Sequence, residues 1–161
     1  MDAVQWHGGI GLTLKRASLS TPRCMRKSPK AYVDTSALIA FADRSDTYHP
    51  LFHHLFADPP ELNTSSLVIA EGHAWFLRRY NTSYALSFVA MLKAMPFLSV
   101  IAVGEREIAS ASTLLDRFSD QALTLVDATG LYLMQVHHIN LCWSTDFHLG
   151  LTGATLVVHT Q

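Results

Sequence analysis

Residues 31–40 read AYVDTSALIA, and the order of residue types in that stretch decides the fold class. Tyr32 and Val33 run straight into Asp34, after which Thr35 and Ser36 open a second apolar run of helical character. This is the pattern of a short buried strand ending in a carboxylate, followed by a hydroxyl pair able to cap a helix N-terminus. In open α/β sheets ligands bind outside the carboxyl ends of the strands, so Asp34 stands where a functional crevice is expected. What matters next is which other carboxylates the chain brings to it.

Outward from this stretch, apolar runs with helical and strand character alternate. Helices are expected over residues 36–43, 48–57, 67–80, 84–95, 105–118 and 124–138, and strands over 62–65, 97–103, 140–144 and 154–158. Ser65 or Ser66 is placed to cap the third helix, and Pro59-Pro60 and Pro96 stop the second and fourth. Alternating strands and helices imply parallel pairing with right-handed crossovers, hence a three-layer α/β/α sandwich around a central parallel sheet of about five short strands.

The chain has 161 residues and is 49% hydrophobic, which suits one domain with a sizeable core. Only two cysteines occur, Cys24 and Cys142, in no metal-type spacing, so no disulfide framework is expected and a reducing, cytoplasmic compartment is. No apolar run reaches the roughly 20 residues that a membrane helix needs.

The net charge of −1 hides an asymmetry: residues 1–30 carry six basic side chains against Asp2, or +5, and the other 131 carry six basic and twelve acidic, or −6. The first 30 residues read as a flexible basic arm, with residues 31–161 as the globular domain. Met25 offers a natural start downstream of an extension; a transit-type segment and an RNA-touching arm are the other readings. An acidic body is a poor general surface for nucleic acid, yet it is what clustered carboxylates look like before their metal ions are counted.

Glu71 lies within the apolar helix LVIAEGHAWFL, four residues from both Leu67 and Trp75. It therefore shares a core-type face, where a carboxylate is costly unless paired or bound to a cation; the other reading is a Glu at the helix edge. Asp127 opens the helix LTLVDATGLYLMQV, and Thr124 three residues earlier also fits a capping box in which the acid serves its own helix end. Asp146, in WSTDFHL, again follows a strand, where an Asp can equally form a turn or cap. Asp120, in FSDQAL, is a looser candidate that reads best as a solvated loop acid. Two acids at strand ends and two on helices suit hard cations, Mg²⁺ or Mn²⁺.

Histidine offers a rival metal story. His49 and His53 stand four apart on one helix, but no HExxH motif or cysteine cluster accompanies them, so surface or satisfied histidines are expected. His148 stands near enough to Asp146 to meet a phosphate. Leu51, Phe52, Leu55 and Phe56, with Trp75 and Phe76, form either core beneath the sheet or an exposed patch for a partner helix.

Taken together, VDTSAL, VIAEGHAW, SDQALTLVDAT and WSTDFHLGLTG resemble the PIN-domain family, and within it the small VapC-like toxins of toxin–antitoxin pairs. The resemblance spans roughly residues 31–158. It implies a metal-dependent ribonuclease site of four acids, falling on Asp34, Glu71, Asp127 and Asp146, with Asp34 and Asp127 as the surest metal ligands. Thr35 and Ser144 would support the ligands from behind, and Asp120 would stand with them at most; Ser144 takes a position where Thr is typical. Phe147 and Leu149 also depart from the family pattern.

The implied reaction is Mg²⁺-dependent endoribonuclease cleavage by an activated water, leaving a 5′-phosphate and a 3′-hydroxyl. The implied partners are an RNA substrate, a cognate antitoxin and a second copy in a homodimer. A housekeeping RNA-processing PIN nuclease and a catalytically silent PIN-fold binding module are the alternatives. A receiver domain is excluded by the absence of any lysine after Lys93, and a haloacid-dehalogenase-type phosphatase by Ser36 where its second aspartate belongs.

Overall fold

The computed structural model describes residues 29–159; the readings of residues 1–28, Met25 as a start among them, lie outside these. Five parallel strands form one sheet: β1 (Lys30–Val33), β2 (Glu61–Ser65), β3 (Leu98–Ile101), β4 (Leu141–Trp143) and β5 (Thr155–Leu156). The order across the sheet is β3-β2-β1-β4-β5. The helices are α1 (Thr35–Ala42), α2 (His49–Leu55), α3 (Ser66–Arg79), α4 (Thr82–Lys93), α5 (Glu105–Arg117) and α6 (Leu125–Val136).

This order has one reversal. The chain steps from β1 through β2 to β3 in one direction, then returns through α5 and α6 to lay β4 on the other side of β1. The crevice at a topological switch point therefore opens above the carboxyl ends of β1 and β4. Asp34 is the first residue beyond β1, and its N–H donates to Trp143 O at 3.0 Å, so the ladder continues to the rim.

Register assigns the faces of the sheet. Val33 pairs with Trp143 and Tyr32 with Cys142, so each pair shares a face. Trp143 receives Phe56, just after α2, edge-on at 5.0 Å, which puts α1 and α2 on that side. Tyr32 lies against Gly130 of α6, which puts α6 on the other. Tyr32, Leu38, Phe52, Leu62, Leu131 and Trp143 are fully or almost fully buried; each such side chain contributes about 1.5–3 kcal/mol on leaving water. Phe52 and Phe56 are thus core, and Phe76 is buried on α3 with them.

The local chemistry accounts for the element ends. Ser65 is the cap of α3, its side chain accepting from Val68 N–H, and Asn81 caps α4. Ser66 instead accepts from Val103 N–H at 3.1 Å, which draws Val103 off the ladder, so β3 is shorter than the apolar run 97–103. The strand expected over 154–158 shrinks to Thr155–Leu156, because β5 has only the three-residue β4 to pair with; Val157–His159 turn as a 3-10 helix. The sixth helix is also shorter than 124–138. Thr124 stays extended to cap it, and His138 takes a left-handed φ of 53° that ends it. Lys30, at the edge of the stretch read as an arm, belongs to β1 and pairs with Glu61 at 3.2 Å.

Candidate active site

Hydroxyl contacts above β1 hold Asp34 and the backbone of Asp146 together and, separately, fasten Glu71. Asp34 is buried and caps α1: its Oδ2 accepts from Ser36 N–H at 3.2 Å, Ser36 Oγ at 2.8 Å and Ser144 Oγ at 3.0 Å. Ser144 Oγ also accepts the N–H of Asp146 at 2.9 Å, and Thr145 N–H donates to Ser36 Oγ at 3.0 Å. One knot of two serines thus ties the β4 rim to the N-terminus of α1. Glu71, half-buried on α3, accepts from Thr35 Oγ1 at 2.5 Å.

Asp127 meets both readings of its position. Its Oδ2 accepts from Thr124 N–H at 2.8 Å and Thr124 Oγ1 at 2.7 Å, while its own N–H donates back to Thr124 Oγ1 at 3.2 Å. That is a complete capping box. The residue is nevertheless buried, and its charge reaches both Glu71 and Tyr32. Asp146 caps the 3-10 turn Phe147–Gly150: its Oδ1 accepts from His148 N–H at 2.9 Å and lies 2.7 Å from His148 Nδ1. Asp120 is exposed and accepts from Gln121 Nε2 at 2.9 Å.

The electrostatics follow from burial. Removal from water pushes the Asp34 carboxyl up from its ordinary value, against the pull of the Ser36, Thr35 and Ser144 donors. Burial also raises Glu71, opposed by the Thr35 hydroxyl and reinforced by the negative charges of Asp34 and Asp127. Burial likewise raises the Cys142 thiol, which feels Asp34 and Asp146. The site is therefore a set of negative charges held together at a cost.

Whether these residues suit a divalent cation can be judged from the donors. Glu71 Oε1 and Asp127 Oδ1 receive no hydrogen bond from the described residues, so each acid keeps a free oxygen. The Tyr32 hydroxyl is buried beside the Ser65 side chain and feels the charges of Asp34 and Asp127. A hard, all-oxygen donor set fits Mg²⁺ or Mn²⁺. Among the described residues, however, no three His, Cys, Asp or Glu side chains already stand close enough to enclose an ion. Asp127 faces its own helix end, and Glu71 faces Thr35.

The sequence pattern did not single out Tyr32, which alternation marks only as core, nor the tie through Ser36. The His49 and His53 rings lie 5.6 Å apart, and His49 Nδ1 is 2.9 Å from Ala40 O. Among the described residues no helix is long and apolar enough to cross a membrane.

A parallel sheet with a single reversal and acids gathered at its switch point define a class, and residues 31–151 match the PIN domain: the chain belongs to the PIN-domain family. Its fold is similar to that of VapC20 from Mycobacterium tuberculosis, a sarcin-ricin loop cleaving toxin (TM-score 0.72, 25% identity, covering 78% of this chain and 96% of that one). It is also similar to a toxin-antitoxin complex from Klebsiella pneumoniae (TM-score 0.55, 19% identity, 79% and 95% covered). PAE2754 from Pyrobaculum aerophilum gives a TM-score of 0.58 at 19% identity, with 82% and 92% covered. The last two likenesses concern the fold alone. No curated protein matches the sequence.

Proposed function

We propose that this chain is a metal-dependent endoribonuclease acting as the toxin of a toxin–antitoxin pair. The observation that carries this reading is that Glu71 feels the charges of both Asp34 and Asp127, with Asp34 tied through Ser144 to the backbone of Asp146, on a fold similar to that of a sarcin-ricin loop cleaving toxin. Asp34 and Asp127 would hold Mg²⁺ or Mn²⁺, helped by Glu71 and Asp146. The bound ion would supply an acidified water and offset charge on the phosphate under attack. The chain's own part is to orient the carboxylates: Ser36 and Ser144 hold one edge of Asp34, Thr35 holds Glu71, and Thr124 holds Asp127.

VapC20 is a sarcin-ricin loop cleaving toxin, so that loop is the first substrate to try. The same reading includes a cognate antitoxin, a homodimeric state and a cytoplasmic location. Incubating the protein with total RNA in Mg²⁺ and mapping new 5′-phosphate ends tests it, with Asp127→Asn as the control. Cleavage by the wild type alone is the expected result; equal cleavage by both would reject the assignment. Growth arrest on expression, relieved by a small neighbouring gene product, separates a toxin from a housekeeping nuclease. A metal titration without any binding would leave only a silent PIN-fold module.

A further inference from the structure

The acid site poses a problem for the substrate just proposed. The described residues carry seven Lys and Arg against twelve Asp and Glu, so a polyanionic strand must approach a predominantly negative body. A cation close to the acids would ease that approach, and most of the described cations are engaged elsewhere. Lys30 is paired with Glu61. Arg79 lies over the Tyr80 ring at 5.5 Å and acts on Asp43, to which Tyr80 Oη donates at 2.8 Å. Arg106 acts on Glu107, and Arg117 lies over the Phe118 ring at 5.2 Å.

Arg78 differs from these. It follows Glu71 by seven positions on α3, so at 100° per residue the two project within about 20° of one another. The separation along the helix axis is about 10.5 Å. Arg78 is exposed and makes no hydrogen bond, ion pair or ring contact among the described residues. Its charge nevertheless acts at Glu71. No ion pair forms between the two, which leaves the guanidinium free.

We propose that Arg78 is an RNA-backbone contact: its guanidinium takes a phosphate of the strand whose scissile bond lies over Asp34, Glu71 and Asp127. This rests on the nuclease reading above. A guanidinium offers two parallel N–H donors to phosphate oxygens, and Arg78 has no competing partner for them. At roughly 3.4 Å per nucleotide in a stacked strand, about three nucleotides span the distance from Glu71. Arg78 thereby sets where along the strand the acids act.

The test uses the full chain carrying Asp127→Asn, in Mg²⁺, with a short fluorescein-labelled single-stranded RNA followed by fluorescence anisotropy over a NaCl series. Adding Arg78→Gln should weaken binding about tenfold at low salt and flatten the plot of log affinity against log salt by about 0.7. Arg78→Lys should restore the slope, and Arg79→Gln should leave it unchanged. An unaltered slope in Arg78→Gln, or the same loss in Arg79→Gln, would overturn the proposal, since charge in general would then suffice. A change confined to self-association, seen by sedimentation, would overturn it in favour of a protein contact. If the Asp127→Asn protein binds no RNA at any salt, the nuclease reading itself fails.

Discussion

Thr35 Oγ1 donates to Glu71 Oε2 across 36 positions of sequence, joining the first residue of α1 to the middle of α3. Thr35 is buried and Glu71 half-buried, so this hydroxyl replaces solvent that the carboxylate has lost. Thr35→Val keeps the shape and removes the donor. It should cost about 1–3 kcal/mol, the penalty for a stranded polar group, read as a lower urea midpoint at constant m-value. An unchanged midpoint would show that water serves Glu71 equally well.

The raised carboxyls give the apoprotein a pH dependence of definite sign. Asp34 and Glu71 hold their protons to higher pH in the folded state than in the unfolded chain. The unfolded state therefore binds fewer protons, and stability falls as pH rises from the ordinary carboxylate range through the raised folded values. Asp43 and Glu107 are shifted the other way but are largely exposed and well screened. Thermal scans in EDTA should show lower stability at pH 7 than at pH 5, and Asp34→Asn should reduce that fall. Mg²⁺ should raise the melting temperature more at pH 7 than at pH 5, because only the ionised site binds it.

Asp127 has two roles that substitution can separate. Asn retains an oxygen that can accept from Thr124 N–H, whereas Ala removes that half of the capping box and leaves only the bond from the residue 127 N–H to Thr124 Oγ1. Asp127→Asn should abolish RNA cleavage with little change in stability, and Asp127→Ala should abolish it and cost about 1 kcal/mol. Equal stability for the two variants would show that the capping box is dispensable.

Gly130 lets α6 lie close on β1. A Cβ there would come within 3.0 Å of Tyr32 Cε1, 3.1 Å of Leu149 Cδ1 and 3.2 Å of the Tyr32 hydroxyl. Gly130→Ala should cost about 1 kcal/mol, overpacking against the buried Tyr32 and Leu149 outweighing the roughly 1 kcal/mol that Ala gains in helix propensity. It should also weaken Mn²⁺ binding, followed by electron paramagnetic resonance, because α6 carries Asp127 three residues earlier. Stability loss with unchanged Mn²⁺ affinity would uncouple the helix's seating from the site.

Much of this was readable from local pattern. AYVDTSALIA shows a strand, an acid and a helix start because burial, capping and periodicity act within a few residues. The Thr124–Asp127 box is local in the same sense. Element ends were less legible, because they depend on distant partners: Ser66 takes Val103 off its strand from 37 positions away.

By itself, then, the chain determined the alternation of strands and helices, the placing of Asp34 and Asp146 beyond strand ends, and the cap that Asp127 makes. Each depends on backbone sterics and hydrogen bonds between near neighbours. Only the tertiary structure decided that β4 returns beside β1, that Thr35 meets Glu71, and that Ser36 and Ser144 share Asp34. Those contacts bridge long sequence separations, and packing of the whole core, rather than any local preference, brings their partners together.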